Sequence, residues 1–228
     1  MVERAGTMAF AGGALVFPGG RVDPADMTLA QTLATEAMDL AETAARLAAI
    51  RETIEEVGLP IGLHPVPSPT VLITLREALH AGIDLGTAVV MAGLTLAPSS
   101  LTYFARWRPA HHLTRIFDTR FYLARLPDSA PIAQVDQTEN VRLLWATARD
   151  ILGAADAGHA HLIFPTRRNL ERLALFGDYD AAVADARDRP VRVVTPWIEQ
   201  RDEVDHLCIP DDLGYPVTSE PVDRVARG

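Results

Sequence analysis

The sequence predicts an α+β fold, with helices flanking a mixed sheet as in a three-layer α/β/α sandwich, and three observations carry that expectation. Strand-like and helix-like runs are interspersed without regular βαβ alternation. Leu47, Ile50, Ile54 and Val57 recur at three- and four-residue spacing, which is the stripe of a helix buried on one side. Three strand-like runs, Leu101 to Trp107, Phe117 to Leu126 and Val141 to Ala146, fall together in the middle of the chain.

The elements follow in order. Met8 to Phe17 is apolar and glycine-punctuated and stops at Pro18-Gly19-Gly20, so it reads as a strand entering a tight turn. Arg21 to Asp26 is a loop. From about Met27 the chain turns alanine-rich, and a helix is expected through Val57, with Gly58 as its stop and Pro60 just beyond. Pro60 to Ser68 is a proline-rich connection. Helices are expected at Thr70 to Ala81 and Leu85 to Leu94, with a break at Ala97-Pro98-Ser99-Ser100. After the three strands come helices at Ala148 to Ala157, Arg167 to Phe176 and Ala181 to Arg187, then a strand at Val191 to Val194. The tail after Pro210 reads as irregular.

Composition narrows the function. Of 228 residues 48% are apolar, which is enough for a sizeable core. The net charge of −9 argues against nucleic acid and anionic membranes, since both demand a basic footprint. It does not argue against a phosphate substrate, because bound metal ions supply positive charge. Cys208 is the one cysteine, so no intrachain disulfide can form, and a reducing compartment fits. The N-terminus has no apolar stretch of signal-peptide length, and Ile83 to Ala97 contains Asp84 and is too short to span a bilayer. The expectation is a cytoplasmic protein with no membrane partner, and a homodimer stays open.

The chemically informative stretch is Arg51-Glu52-Thr53-Ile54-Glu55-Glu56-Val57-Gly58-Leu59. At 100° per residue Glu52, Glu55 and Glu56 share one helix face, roughly opposite Ile50 and Ile54. A solvated acidic face usually interleaves Lys or Arg four residues after Glu. Here Glu56 follows Glu52, and Leu59 and Pro60 follow Glu55 and Glu56. Hard oxygen donors gathered in this way suit Mg²⁺ or Mn²⁺. For an isolated helix, a plain acidic surface would be the better reading.

Phe17-Pro18-Gly19-Gly20 upstream shifts that balance. Together the two segments resemble the Nudix hydrolase motif, G-x5-E-x7-R-E-U-x-E-E-x-G-U with U aliphatic. Arg51 through Leu59 match its second half, with Thr53 at the first U, and Gly20 matches the leading glycine. The family separates that glycine and arginine by fourteen residues, whereas Gly20 and Arg51 are thirty-one apart, so about one helix is inserted. The intervening glutamate has no clear counterpart. Asp26 keeps the spacing from Gly20, Thr43 keeps the spacing from Arg51, and Glu42 is one position off. Phe17 to Asp23, an inserted segment, then Ala48 to Gly58 resemble the acyl-coenzyme A diphosphatase-like branch. Residues 115–122 and 165–170 add to that likeness. Arg4, Ala5, Gly13 and Phe17 fall at the spacing of a coenzyme A signature whose second arginine is Ala9 here.

The resemblance implies a Nudix domain over residues 1–164, with helical insertions at about 27–46 and 70–97, and a C-terminal helical extension over 165–228 packed on it. It implies that Glu52, Glu55 and Glu56 hold Mg²⁺ or Mn²⁺, with one carboxylate as base and Arg51 orienting Glu55. Gly19, Gly20, Arg4 and Arg120 would contact a small-molecule diphosphate, either coenzyme A or an acyl-coenzyme A. The alternatives are ADP-ribose or another nucleoside diphosphate, or a Nudix-fold binding module without turnover. Family members usually carry a strand before the counterpart of Val2-Glu3-Arg4, so either the true start lies upstream or an edge strand is lacking.

Other residues are weighed singly. Glu139 stands six residues before Trp145, where the family often has E-x5-W; a metal ligand or base competes with an exposed loop residue. Asp118 and Arg120 would share a strand face, so an ion pair between them is the safer expectation than substrate contact by Arg120. His111-His112 and His159-x-His161 have no accompanying cysteine and do not make a zinc site. Cys208 reads as a small buried residue. Val89, Val90, Met91 and Leu94 could line a groove for an acyl chain, although periodicity favours helix core for most of them.

Overall fold

The computed structural model describes residues 1–7, 11–36, 38–109, 117–135 and 140–225. Strands β1 (Val2–Arg4) and β2 (Leu15–Val16) open the chain, followed by helices α1 (Pro24–Leu33) and α2 (Leu40–Val57). A short strand β3 (Leu63–His64) leads to α3 (Pro69–His80), α4 (Leu85–Met91) and β4 (Thr95–Leu96). Then come β5 (Thr102–Trp107), β6 (Thr119–Leu123) and β7 (Asn140–Leu143). The remainder holds α5 (Ala148–Asp156), α6 (Phe164–Leu173), α7 (Tyr179–Asp188), β8 (Val193–Val194), β9 (Trp197–Arg201), β10 (Val204–Cys208), β11 (Ser219–Pro221) and α8 (Val222–Val225).

Two three-stranded sheets carry the helices: β2-β1-β7, which is antiparallel, and β6-β5-β8, in which β5 and β8 run parallel. The fold is therefore α+β with mixed sheet, as expected. One core lies among α1 to α4, where Leu47, Ile50, Ile54, Leu75 and Leu85 are essentially inaccessible. A second joins β5 to α6 and the C-terminal segment through Phe104, Trp107, Phe164, Ile209 and Tyr215. Smaller clusters seat Val2 against Val57 and Leu15 against α5 and α6.

Three differences from the sequence reading have physical causes. The expected helix from Met27 to Val57 is two helices, because the Asp39 side chain accepts the Glu42 N–H (2.7 Å) and starts α2 afresh. No Gly or Pro marks the break, so alanine content alone concealed it. The first strand begins at Val2 and is paired on both sides, whereas only Leu15–Val16 of the expected Met8 to Phe17 run pairs. Residues 8–10 of that run lie outside the described residues. In the C-terminal segment the expected helices stand as α6 and α7, and a sheet of order β11-β10-β9 accompanies them. Its strands alternate polar with apolar residues too weakly to be read as sheet. No helix among the described residues is long and apolar enough to cross a membrane.

Candidate active site

The last two turns of α2 present the acidic triplet, and several contacts fix them there. Gly58 adopts φ +64° and ends the helix with its N–H on the Ile54 carbonyl. Arg76 of α3 donates from Nε to the Glu55 carbonyl (2.8 Å) and from Nη2 to the Glu56 carbonyl (3.1 Å), filling acceptors that the helix end leaves open. Ile50, Ile54 and Val57 are fully buried on the far side, so the glutamates turn towards the loop after β2.

That loop meets them at close range. The Gly19 N–H donates to Glu56 Oε2 (3.0 Å). A Cβ at Gly20 would lie 2.2 Å from Glu52 Oε1, so any other residue there would have to displace that carboxylate. Arg51, 8% exposed, ties loop and helix together. It donates from Nη2 to Asp26 Oδ2 (3.0 Å) and to the Arg21 carbonyl (2.8 Å), and from Nη1 to Glu52 (2.9 Å) and Glu55 (3.0 Å). The i,i+4 pairing of Arg51 with Glu55 is thus present.

Charge in this cluster does not balance. Arg51 lies within 3.5 Å of Asp23, Asp26, Glu52 and Glu55. Burial opposes its charge, but the bond to Asp26 and the surrounding carboxylates hold it firmly protonated. Burial pushes Glu52 and Glu55 above the usual carboxylate range despite Arg51. Glu56 is pushed up to about 7 by burial, with the Gly19 amide and Asn140 side chain opposing the shift. Three partly desolvated carboxylates with too little neighbouring positive charge make a cation-deficient pocket. Their chemistry fits a hard divalent ion. The three are not drawn together, however: among the described residues no group of three acidic, His or Cys side chains is assembled to hold an ion. Glu52 and Glu55 grip Arg51 instead.

The other expected site residues divide. Arg4, on β1, sits near enough to act electrostatically on Glu56. Arg120 is elsewhere: it pairs with Glu42 (3.5 Å), at the opposite end of α2 from the triplet. Its expected partner Asp118 pairs with Arg106 instead, through bonds of 2.7 and 2.6 Å, because the β5–β6 pairing places Arg106 opposite Arg120 and so diagonally across from Asp118, two residues earlier on the same face. Glu139, His111 and His112 lie outside the described residues. Cys208 is buried. Val89 and Leu94 are core, while Val90 and Met91 are 76% and 69% exposed.

Two residues with no assigned role join the site. Asp26 is 1% exposed, accepts the Asp23 N–H (2.9 Å) at the start of α1 and holds Arg51. Its spacing from Gly20 was the visible signal. Asn140, fully buried at the start of β7, lies near enough to the Glu56 side chain to counter the upward shift of its pKa. Nothing in its sequence surroundings marked it.

No protein-family profile matches the chain. No curated protein matches it either. Among solved structures it is similar to a NUDIX hydrolase from Alicyclobacillus acidocaldarius, with 26% identity and a TM-score of 0.68 over 80% of this chain and 86% of that one.

Proposed function

We propose, from the premise that this chain is a Nudix hydrolase, that it cleaves the phosphoanhydride bond of a coenzyme A-type substrate with a divalent metal ion. The observation that carries the reading is the cation-deficient acidic face of α2 beneath the Gly19-Gly20 backbone. Glu52, Glu55 and Glu56 would hold Mg²⁺ or Mn²⁺, and a bound ion would activate water and offset charge on the diphosphate.

Around that ion the chain's own groups have separate tasks. The Gly19 amide orients the Glu56 carboxylate, and Asn140 lies close to it. One of the three carboxylates would take the proton from the attacking water. Arg51 restrains Glu52 and Glu55 and is itself held by Asp26. Arg4 supplies a positive charge beside Glu56 where a substrate phosphate could lie. The coenzyme A assignment rests on the Phe17 to Asp23 and Ala48 to Gly58 segments and on Arg4 and Gly13 at the signature spacing. Exposed Val90 and Met91 offer apolar surface for an acyl chain. Ala9, in place of the signature's second arginine, favours a second reading in which ADP-ribose or another nucleoside diphosphate is cleaved.

A panel of coenzyme A, short- and long-chain acyl-coenzyme A, NADH, ADP-ribose and diadenosine polyphosphates, each with Mg²⁺ or Mn²⁺, tests this by phosphorus NMR of the products. Adenosine 3′,5′-bisphosphate from the coenzyme A esters at the highest kcat/KM is the expected result. A preference for ADP-ribose would overturn the substrate assignment. Turnover undiminished by EDTA would overturn the metal assignment.

A further inference from the structure

The sheet β11-β10-β9 ends on a strand, β9, with an outward-facing edge. All five residues of β9 are exposed, including Trp197 at 42% and Ile198 at 63%. Its hairpin turn, Asp202-Glu203, has positive φ at both positions (47° and 65°), and Arg201 pairs with Val204 across it. In a two-residue hairpin the flanking pair is the hydrogen-bonded one, and the pattern alternates from there. Trp197, Glu199 and Arg201 therefore direct their backbone groups to β10, and Ile198 and Gln200 direct theirs outward. Outside the sheet pairing, no backbone hydrogen bond among the described residues reaches Ile198 or Gln200. The edge of β2, by contrast, is closed by the Leu15 N–H on the His161 carbonyl (2.9 Å).

We propose that β9 is a self-association edge, pairing antiparallel with β9 of a second copy of this chain about a twofold axis at Gln200. Three symmetric registers bring outward amides together, and with the axis at Ile198 each Gln200 would face Pro196, which has no N–H to give. With the axis at Glu199, two glutamates would stand directly opposite each other, which is unfavourable. With the axis at Gln200, each Glu199 faces Arg201 of the second copy in a non-hydrogen-bonded pair, where side chains approach most closely. Glu199 and Arg201 lie on the same face of the strand, with Arg201 Nε 3.0 Å from Glu199 Oε1. Charges on an edge strand ordinarily keep other strands away. Here the order Glu-Gln-Arg is complementary to itself under the twofold, so the same charges select one partner and one register. The product is a continuous six-stranded sheet across two copies.

Sedimentation equilibrium of the full chain over roughly 1–200 μM tests this, that range spanning the weak affinities expected of a small interface. Wild type should rise from one chain towards twice the 24.7 kDa chain mass. Gln200→Pro removes an outward N–H that β10 does not use and should abolish the rise. Glu199→Arg should weaken association roughly tenfold by opposing like charges at two places, and Glu199→Arg with Arg201→Glu should restore it. The charge variants change only exposed side chains, so they keep the test meaningful should the proline disturb the hairpin. A wild type that stays monomeric throughout, or a double variant no better than Glu199→Arg, would overturn the proposal.

Discussion

Two regions of this molecule bury arginines, and they do so to different ends. Arg51, at the junction of the loop and α2, faces Asp23, Asp26, Glu52 and Glu55, with Glu56 one turn further on. Arg172 of α6, 4% exposed, has one carboxylate, Asp185 (2.7 Å), and the Phe104 carbonyl (3.1 Å). Its guanidinium lies 4.2 Å from the Phe104 ring centroid and 5.7 Å from that of Tyr215. The second arrangement has no surplus of negative charge: Asp185 meets both Arg172 and Arg189, and a carbonyl and two aromatic faces complete the surroundings of Arg172. The first leaves negative charge over, and burial raises the pKa of all three glutamates, with neighbouring carboxylates adding to the shift. A buried arginine is therefore no marker of function in itself; the surplus charge around it is.

The strongest way to break this comparison is to mutate each side. Glu56→Gln keeps the shape of the acidic cluster and removes its most perturbed carboxylate. The expected loss in kcat is about 10²–10⁴-fold, the range for a positioned acid–base group, with an unchanged far-ultraviolet circular dichroism spectrum. Wild-type turnover by this variant would show that the charge surplus is not catalytic. Arg172→Met should behave in the opposite way. It leaves Asp185 with only Arg189 (2.7 Å) and should cost about 3 kcal/mol of stability in urea unfolding. Turnover per folded molecule should stay close to wild type. A large drop in kcat with intact stability would move Arg172 into the site.

How much of this was legible beforehand follows from which contacts are local. The Arg51–Glu55 pair is one helical turn and could be drawn from spacing alone. So could the common face of Glu52, Glu55 and Glu56, since the helix period sets it. The α2 boundary at Gly58 was marked by residue type. The α1–α2 break was not, because an aspartate cap inside an alanine-rich run looks like any other helical residue. Asn140 comes near Glu56 only because β7 pairs with β1, with Arg4 opposite Asn140, 136 residues away in sequence. Non-local pairing of that kind leaves no periodic trace. Asp118 was assigned the wrong arginine for the same reason: its partner lies across the β5–β6 pairing rather than along β6.

Gly20 offers a sharper cut with a smaller effect. Gly20→Ala places a methyl group where the Glu52 carboxylate now sits. Glu52 is held by Arg51 at 2.9 Å, so relief requires either breaking that pair or lifting the loop from α2. The expected outcome is a kcat lowered by about 10- to 100-fold, in keeping with misplacement of a functional group by a fraction of its diameter. Gly6, where nothing among the described residues lies within 4 Å of an added Cβ, is the control: Gly6→Ala should leave kcat unchanged. Equal kcat for the two variants would mean that the close approach of Gly20 to Glu52 is incidental.

The smallest expected effect is in the pH dependence of stability, and its sign distinguishes the two regions. In metal-free protein Glu56 keeps its proton up to about pH 7, whereas the unfolded chain releases it near the ordinary value of 4.5. Between those values the native state binds more protons than the unfolded state, so stability falls as pH rises through the window. Glu52 and Glu55, also raised by burial, add in the same direction. Asp185, beside Arg172 and Arg189, is instead held below 3.8 despite its burial, so its contribution is present above that value and lost only in stronger acid. Chelated wild-type protein should therefore lose roughly 1–2 kcal/mol between about pH 5.5 and pH 7.5, seen as a lower Tm at the higher pH. Glu56→Gln carries no titrating group at that position and should show a shallower slope over the same range. Mn²⁺ should lift the wild-type Tm most at the higher pH, where the glutamates are ionised and able to bind it, and should lift that of Glu56→Gln much less. Identical slopes for wild type and Glu56→Gln without metal would show that the glutamate is not protonated in the fold, and the charge imbalance drawn between Arg51 and Arg172 would lose its main support.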